Sequence, residues 1–271
     1  MLKGTKLFAD PVHGTVMLTA VEAAVIASPS FQRLRHVRQL GLANYVYPSA
    51  GYSRLEHSVG ACHLAGRVLE SLRASGTELS DKEVQEYRLA ALLHDVGHYP
   101  FSHATEHALK EGRSSALIRS KGDKSVSPEQ AEADFMTHES VGKRILQLDP
   151  AIKASLEEHG FDPKEVSDIF SRQRPDEKTS IVSSDLDVDR LDYLLRTSHA
   201  TGLPYGRVDV DYLVTQMRLD DKNRVCLTPK ALRAAEHLLL ARYFDYRQVA
   251  YHKTVVGFEL ALQHLLNKMV A

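Results

Sequence analysis

Residues Leu92–His103 read LLHDVGHYPFSH, and the rest of the chain is organised around them. They gather His94, Asp95, His98 and His103 at the end of an apolar helical run. Histidine and carboxylate together suit a divalent ion of the Zn, Mn, Fe or Ni kind. Gly97 is expected to stop the helix, and Pro100 favours an extended or turned chain around it. This puts His94 and Asp95 on the last helical turn, with His98 and His103 on a loop curling over them.

Working outward, Ser80 with Glu83 reads as a capping box that opens this helix. Its run Leu89, Ala90, Ala91, Leu92, Leu93 is apolar nearly all round, so the helix is expected to be central. Ser53 with Glu56 forms another box. The helix beyond it carries Leu55, Val59, Cys62, Gly66, Leu69 and Leu72 at alternating steps of four and three, a buried face. His57 falls on its first turn. Upstream, Lys6–Leu18 reads as two short strands around a Pro-Val-His-Gly turn. Thr19 with Glu22 caps a helix to about Ala27. Pro29 starts another at a first-turn position, with Phe31, Leu34, Val37 and Leu40 on one stripe before Gly41.

Downstream, Glu111–Pro128 is polar and rich in glycine and serine, and is expected to be a mobile insertion, a lid. Ser127, Pro128 and Gln130 restart a helix that runs through Leu148 and carries His138. Short helices follow near Ala151–Glu158 and Lys164–Ser171. Ser184 is read as the cap of a helix over Asp185–His199, which holds Asp185, Asp187, Asp189 and Asp192. Met217–Leu227 reads as a small hairpin, and Pro229 begins a long helical stretch to the C-terminus. The expectation is an all-α single domain over residues 1–271, with a helical core and one or two small β-hairpins.

Composition sets bounds. The chain has 271 residues, is 43% apolar, and carries 34 basic against 35 acidic side chains. That is enough apolar material for a core, and the balance argues against a generic nucleic-acid binder. Cys62 and Cys226 are too few for a disulfide framework. No apolar run approaches membrane-spanning length and no signal-peptide pattern opens the chain, so a soluble cytoplasmic protein is expected. The apolar last helix suggests either a longer natural protein or a homo-oligomer surface.

A lone His-Asp pair reads most simply as a core histidine bonded to a neighbouring acid. Here the pair closes an apolar central helix, where an unpaired charge is expensive. His57 opens a second buried helix, and LDVDRLDY sets acids among Leu186, Leu191, Leu194 and Leu195. This arrangement resembles the HD-domain phosphohydrolases, and more closely their deoxynucleoside triphosphate triphosphohydrolase branch. The segments DPVHG, FQRLRHVRQLG, SRLEHSVG, LLHDVGHYPFSH, THES and LDVDRLDYLLR carry the resemblance, in that family's order, over nearly the whole chain.

The resemblance implies metal ligands His57, His94, Asp95 and Asp189 for a divalent ion (Mn, Fe, Ni, Zn or Mg). It implies that His98, His103 and His138 line the reaction site. His103 would donate a proton to the leaving oxygen or orient the attacking water, with Glu106 fixing its tautomer. Arg54, Arg190 and Arg242 match phosphate contacts, and Lys253 is a further candidate cation. Gln39, Leu40 and Tyr193 match contacts to the deoxyribose. Asp187 is a candidate partner behind the metal ligands, while Asp185 and Asp192 are read as capping or surface acids.

Three positions depart from the family pattern. Thr197 stands where an Asp lies near the sugar 3′-hydroxyl, Ala250 replaces an aromatic that excludes a 2′-hydroxyl, and Tyr246 replaces a His near the phosphates. A looser sugar gate is expected. Gln32 and Arg35 match a guanine-sensing pocket of some relatives, but Ala27 lacks its acid. The leading expectation is hydrolysis of a dNTP to deoxynucleoside and triphosphate. The alternatives are a phosphomonoesterase on a nucleotide or other small phosphorylated metabolite, and a non-catalytic nucleotide-binding module.

Overall fold

Helix starts in the computed structural model, which describes residues 2–110, 137–174 and 177–270, follow the side chains able to cap them. Strand β1 (Lys6–Asp10) pairs antiparallel with β2 (Gly14–Leu18), Lys6 opposite Leu18 and Asp10 opposite Gly14. The Asp10 carboxylate accepts from the backbone N–H of Val12 and His13 at 2.8 and 2.9 Å and so closes the turn. Helix α1 (Ala20–Ala27) opens on the Thr19–Glu22 capping box, and α3 (Arg54–Ala74) on the Ser53–Glu56 box. Each such cap is worth about 1 kcal/mol. Between them lies the short helix α2 (Pro29–Gln32). Then come α4 (Asp81–Leu93), α5 (His138–Leu148), α6 (Pro150–Glu157), α7 (Pro163–Phe170), α8 (Val188–Thr201) and α9 (Val210–Gln216). A second hairpin, β3 (Met217–Leu219) with β4 (Val225–Leu227), precedes α10 (Leu232–Asp245) and α11 (Lys253–Val270). The fold is all-α with two small hairpins, as expected.

Helix α3 is the axis of the core and packs against both α4 and α8. Leu55, Val59, Cys62, Leu69 and Leu72 share one apolar cluster with Leu89, Leu92, Leu93, Leu191 and Leu194, all essentially inaccessible. Burying each leucine stabilises the fold by roughly 1.5–3 kcal/mol. Gly60 makes the α3–α8 approach possible: a Cβ there would lie 1.9 Å from Asp192 Oδ1 and 2.4 Å from Arg196 Nη2. The helix α4 is buried almost all round, so its last turn and the residues after it are held rigidly.

Several expectations are corrected. The helix begun at Pro29 ends at Gln32 and tightens into a 3₁₀ turn, because the chain is pulled into an extended segment. Val37 is extended, Arg38 bridges Ser53, and Gln39 N–H donates to Tyr52 C=O at 3.1 Å. Gly97 does not act through a left-handed conformation. A Cβ there would lie 2.0 Å from His138 O and 2.3 Å from Gly142 N, so the glycine admits α5 against the turn. His103 opens a helical segment, 103–110, instead of lying in a loop.

Thr137 is extended and caps α5, so the helix carrying His138 begins there and does not continue from Ser127. The cap of α8 is Asp187, not Ser184. The C-terminal stretch is broken by a π turn at Tyr246–Ala250. The expected insertion at 111–128 lies outside the described residues. No helix among the described residues is long and apolar enough to cross a membrane.

Candidate metal centre

Three elements converge on one point because each ends or begins there. His57 sits on the first turn of α3, His94 and Asp95 follow the last residue of α4, and Asp189 lies on the first turn of α8. His57, His94 and Asp189 offer ligand atoms all within 4.8 Å of one another. His57 Nε2 is 2.9 Å from Asp189 Oδ1, and His94 Nε2 is 3.8 Å from the same oxygen. Asp95 stands beside them, Oδ1 at 3.5 Å from His94 Nε2 and Oδ2 at 3.8 Å from His57 Nε2. An ion with bonds of about 2.1 Å holds neighbouring donor atoms roughly 3.0–3.4 Å apart, near the spacing of His57, His94 and Asp189, while Asp95 lies outside that 4.8 Å group with its oxygens turned to Arg54 and His98.

The unsatisfied atoms point the same way. His57 Nδ1 bonds Asp192 Oδ2 at 2.7 Å, and His94 Nδ1 bonds the Ala91 carbonyl at 2.8 Å. Both rings are thereby fixed with Nε2 turned toward the centre. Both Nε2 atoms are buried and make no hydrogen bond; the 2.9 Å approach to Asp189 is off the line an N–H would need. Buried nitrogens without partners are rare, and a ring held by its other nitrogen is how a histidine presents itself to a metal. Two imidazoles and two carboxylates fit the divalent ions expected.

The electrostatics call for a positive charge. Burial opposes charging His57, yet Asp189 and Asp192 outweigh it and push its pKa up to about 10. Burial likewise opposes ionising Asp189, but His57 and His94 hold its carboxyl well below the usual range. Asp95 is also held well below: burial resists, and the Arg54 guanidinium, 2.5 Å away, prevails. Arg54 is buried, and its Nε donates to Ser102 Oγ at 2.8 Å. That serine follows Phe101 in a left-handed turn, φ 62° and 51°. Such backbone costs roughly 1–3 kcal/mol per residue, here offset by the Arg54 bond and by Ser102 Oγ donating to Arg38 C=O at 3.2 Å.

Behind the centre lies a network the acidic pattern did not reveal. Asp192 is not a capping or surface acid but fully buried. It accepts from His13 Nε2 at 2.6 Å and His57 Nδ1 at 2.7 Å, and from Arg196 at 2.9 and 2.8 Å. Arg196 also donates to Asp10 at 2.9 Å, so the β1–β2 turn is tied to α8. Asp187 caps α8 by accepting from Arg190 N–H at 2.8 Å, and pairs with the Arg190 guanidinium at 2.5 Å. Burial, with the neighbouring charge of Asp189, raises its pKa to about 6. Asp185 is the exposed acid of the group.

A second histidine cluster adjoins the first. His98 Nε2 is 3.2 Å from Asp95 Oδ1, and its ring stacks on His138 with centroids 3.9 Å apart. Glu106 accepts from His103 Nδ1 at 3.0 Å and from His138 Nδ1 at 2.9 Å. Burial and Arg54 keep His98 well below its ordinary pKa. Burial also works against a proton on His138, but Glu106 raises its pKa overall. Two stacked imidazoles therefore have their pKa values pushed in opposite directions.

These groups border one cavity of about 820 Å³, a size suited to a small-molecule ligand. Gln39, Leu40, Arg54, His94, Asp95, His98, His103, His138, Asp189, Arg190 and Tyr193 all line it. Arg242 does not: its guanidinium turns to Asp185 at 3.5 Å and lies 5.9 Å over the Tyr246 ring. Lys253 is exposed and outside the lining. Arg172, which nothing in the motif pattern marked, lines the cavity from just beyond α7. Thr197 is buried, with its hydroxyl 3.0 Å from Tyr52 OH. Gln32 and Arg35 bond each other at 2.6 Å away from the cavity.

The comparisons with known proteins agree with this geometry. The sequence profile of the HD domain family matches residues 54–197, more than half of the chain and the stretch that carries His57, His94, Asp95 and Asp189. Human deoxynucleoside triphosphate triphosphohydrolase SAMHD1 is 30% identical over 92% of this chain and 42% of its own length. A hypothetical protein from Aquifex aeolicus superposes with a TM-score of 0.79 at 34% identity, over 97% of this chain and 64% of that one. A phosphohydrolase from Bacteroides thetaiotaomicron gives a TM-score of 0.78 at 30% identity, over 97% and 59%. The chain spans about half the length of the curated relatives it matches. With the histidine of α3, the His-Asp doublet after α4 and the aspartate of α8 drawn to one point inside that matched stretch, the chain belongs to the HD domain family, whose members bind divalent metals.

Proposed function

We propose that the protein is a metal-dependent phosphohydrolase that converts a dNTP to deoxynucleoside and triphosphate. The observation that carries this reading is the pair of partnerless Nε2 atoms, of His57 and His94, beside Asp189, with His94 and Asp189 on the wall of a nucleotide-sized cavity. His57, His94, Asp95 and Asp189 would hold the ion. Bound there, it would supply Lewis-acid polarisation of a phosphoryl oxygen.

The side chains do the rest. Arg190 and Arg54 line the cavity beside the metal ligands and favour an anionic substrate. Arg172 faces the same space and is a further cation for phosphate. Glu106 orients His103 and His138 through their Nδ1 atoms, and His138 Nε2 lies 3.3 Å from Glu139 Oε1 at the cavity wall. His138, whose pKa is raised, is suited to give a proton to the departing oxygen, and a positioned acid of this kind is worth roughly 10²–10⁴ in rate. His98, kept neutral, can accept or orient a proton beside Asp95. Gln39, Leu40 and Tyr193 would embrace the sugar. The relatives described as dNTP triphosphohydrolases support the substrate class.

One observation favours a second reading, a phosphomonoesterase. Of the four cations expected for phosphate, Arg242 and Lys253 lie outside the cavity lining, leaving fewer charges for a triphosphate. A single assay separates the two. Manganese-loaded protein is incubated with each dNTP and the products are resolved by ion exchange. Triphosphate and deoxynucleoside are expected, and release of orthophosphate or pyrophosphate rejects triphosphohydrolysis.

A further inference from the structure

Among the described residues, Asp245 and Glu259 are the cavity-lining carboxylates that make no hydrogen bond or ion pair, and Asp245 is the one that neighbours Tyr193 of α8. Asp245 is the last residue of α10, where the chain passes without a break into the π turn at Tyr246–Ala250. Its side chain is half-buried and, among the described residues, makes no hydrogen bond or ion pair. Burial alone pushes its pKa up to about 7. A partly desolvated carboxyl that faces a cavity without a protein partner is a candidate contact for a ligand.

Its placement identifies the part of the ligand. Asp189, Tyr193 and Thr197 recur every fourth residue along one face of α8, spaced about 6 Å apart. Asp245 lies within electrostatic reach of Tyr193 and of Tyr52, the tyrosine that bonds Thr197. It lines both the main cavity and the crevice behind it that Thr197 borders. The carboxyl therefore sits one to two helical turns beyond the metal-facing end, at the depth of a sugar whose phosphate is held by that end. Gln39 Oε1, also in the lining, is a buried acceptor without a partner. Asp245 and Gln39 Oε1 are thus acceptors in the lining without a protein partner, and a ligand hydroxyl would satisfy either. Thr197 cannot serve, since its hydroxyl is closed off with Tyr52.

Resting on the dNTP reading above, we propose that Asp245 is a specificity-determining residue that accepts a hydrogen bond from the 3′-hydroxyl. A deoxynucleotide linked through its 5′-oxygen has no other free sugar hydroxyl.

The test compares kcat/KM of the manganese-loaded protein for a dNTP and the 2′,3′-dideoxynucleotide of the same base. Chromatography follows consumption of substrate, so the ratio is read whichever phosphorus bond breaks. The wild type should prefer the dNTP by at least about tenfold, the worth of a hydrogen bond to a charged group. Asp245→Ala should bring the ratio to within about twofold of one, and Asp245→Asn, which keeps an acceptor oxygen, should retain part of the preference. A ratio unchanged in Asp245→Ala, or equal consumption of both nucleotides by the wild type, overturns the proposal. Triphosphate as product in those cases leaves the proposed function standing. Collapse of the ratio with orthophosphate as product upholds Asp245 and rejects triphosphohydrolysis. Consumption of neither nucleotide by the wild type overturns both.

Discussion

Replacing Asp192 by alanine tests the metal centre from behind, without touching a ligand. The carboxylate is fully buried and accepts four hydrogen bonds, from His13, His57 and twice from Arg196. Its loss leaves the Arg196 guanidinium buried with Asp10 alone, and removing one partner of a buried pair costs about 3–5 kcal/mol. It also frees His57 to rotate and to change tautomer, so metal affinity should fall roughly 10–100-fold. The two effects are separable. Urea unfolding with a chelator present reads the apo stability, since a bound ion would itself stabilise the fold. Metal titration of the folded variant reads the second effect.

A pH series adds a sign. Burial opposes ionising Asp192, but Arg196, His13 and His57 hold its carboxyl well below the ordinary range. A depressed carboxyl contributes stability above its unfolded pKa, near 4, and loses it as pH falls through the folded value. The wild type should therefore weaken on acidification below about pH 4, and Asp192→Ala should weaken less there. An apo variant within about 1 kcal/mol of wild type, or one that binds metal undiminished, would refute the reasoning.

His94→Ala and Asp95→Ala should lose the ion while the helices persist; elemental analysis with circular dichroism checks this, and full metal content would reject the ligand assignment. Gly97→Ala forces a Cβ against the backbone of His138 and Gly142. It should cost about 1–3 kcal/mol by overpacking and shift His138, seen as a lower urea midpoint and a lower kcat. Glu106→Gln keeps an acceptor oxygen but removes the carboxylate charge that helps raise the His138 pKa. The folded His138 then loses its proton at lower pH, so the alkaline limb of the pH–rate profile should move down, with kcat reduced roughly 10²-fold or more and metal content unchanged; an unmoved limb would assign the proton elsewhere.

What could be read from the chain alone was local. Capping residues announced α1, α3 and α4, and an apolar helix closed by His94 and Asp95 announced a site, because burying those groups without partners would be costly. Readings failed where a distant strand or helix decided the outcome. The residues after Pro29 have a helical apolar period, yet Arg38 is claimed by a bridge to Ser53, and the resulting turn is what carries Gln39 and Leu40 into the cavity wall. Arg172 reaches the same wall only because α7 packs on α4 and α5.

Asp192 failed for a subtler reason. Three residues after Asp189, it continues a spacing that on an isolated helix marks a charged face, and its partners stand far away in the chain. Two local signs pointed inward all the same. Arg196 follows at the spacing of a helical ion pair, and Gly60 follows His57 by one turn, where only a missing Cβ lets α8 come so close. The DPVHG segment, the first of those that carried the family resemblance, holds no ligand atom. Its turn delivers Asp10 to Arg196 and His13 to Asp192. A hairpin at the edge of the fold is thus joined, through the Asp10–Arg196 ion pair and the His13–Asp192 hydrogen bond, to the carboxylate that holds the ring of His57, and its motif supports a centre it never touches.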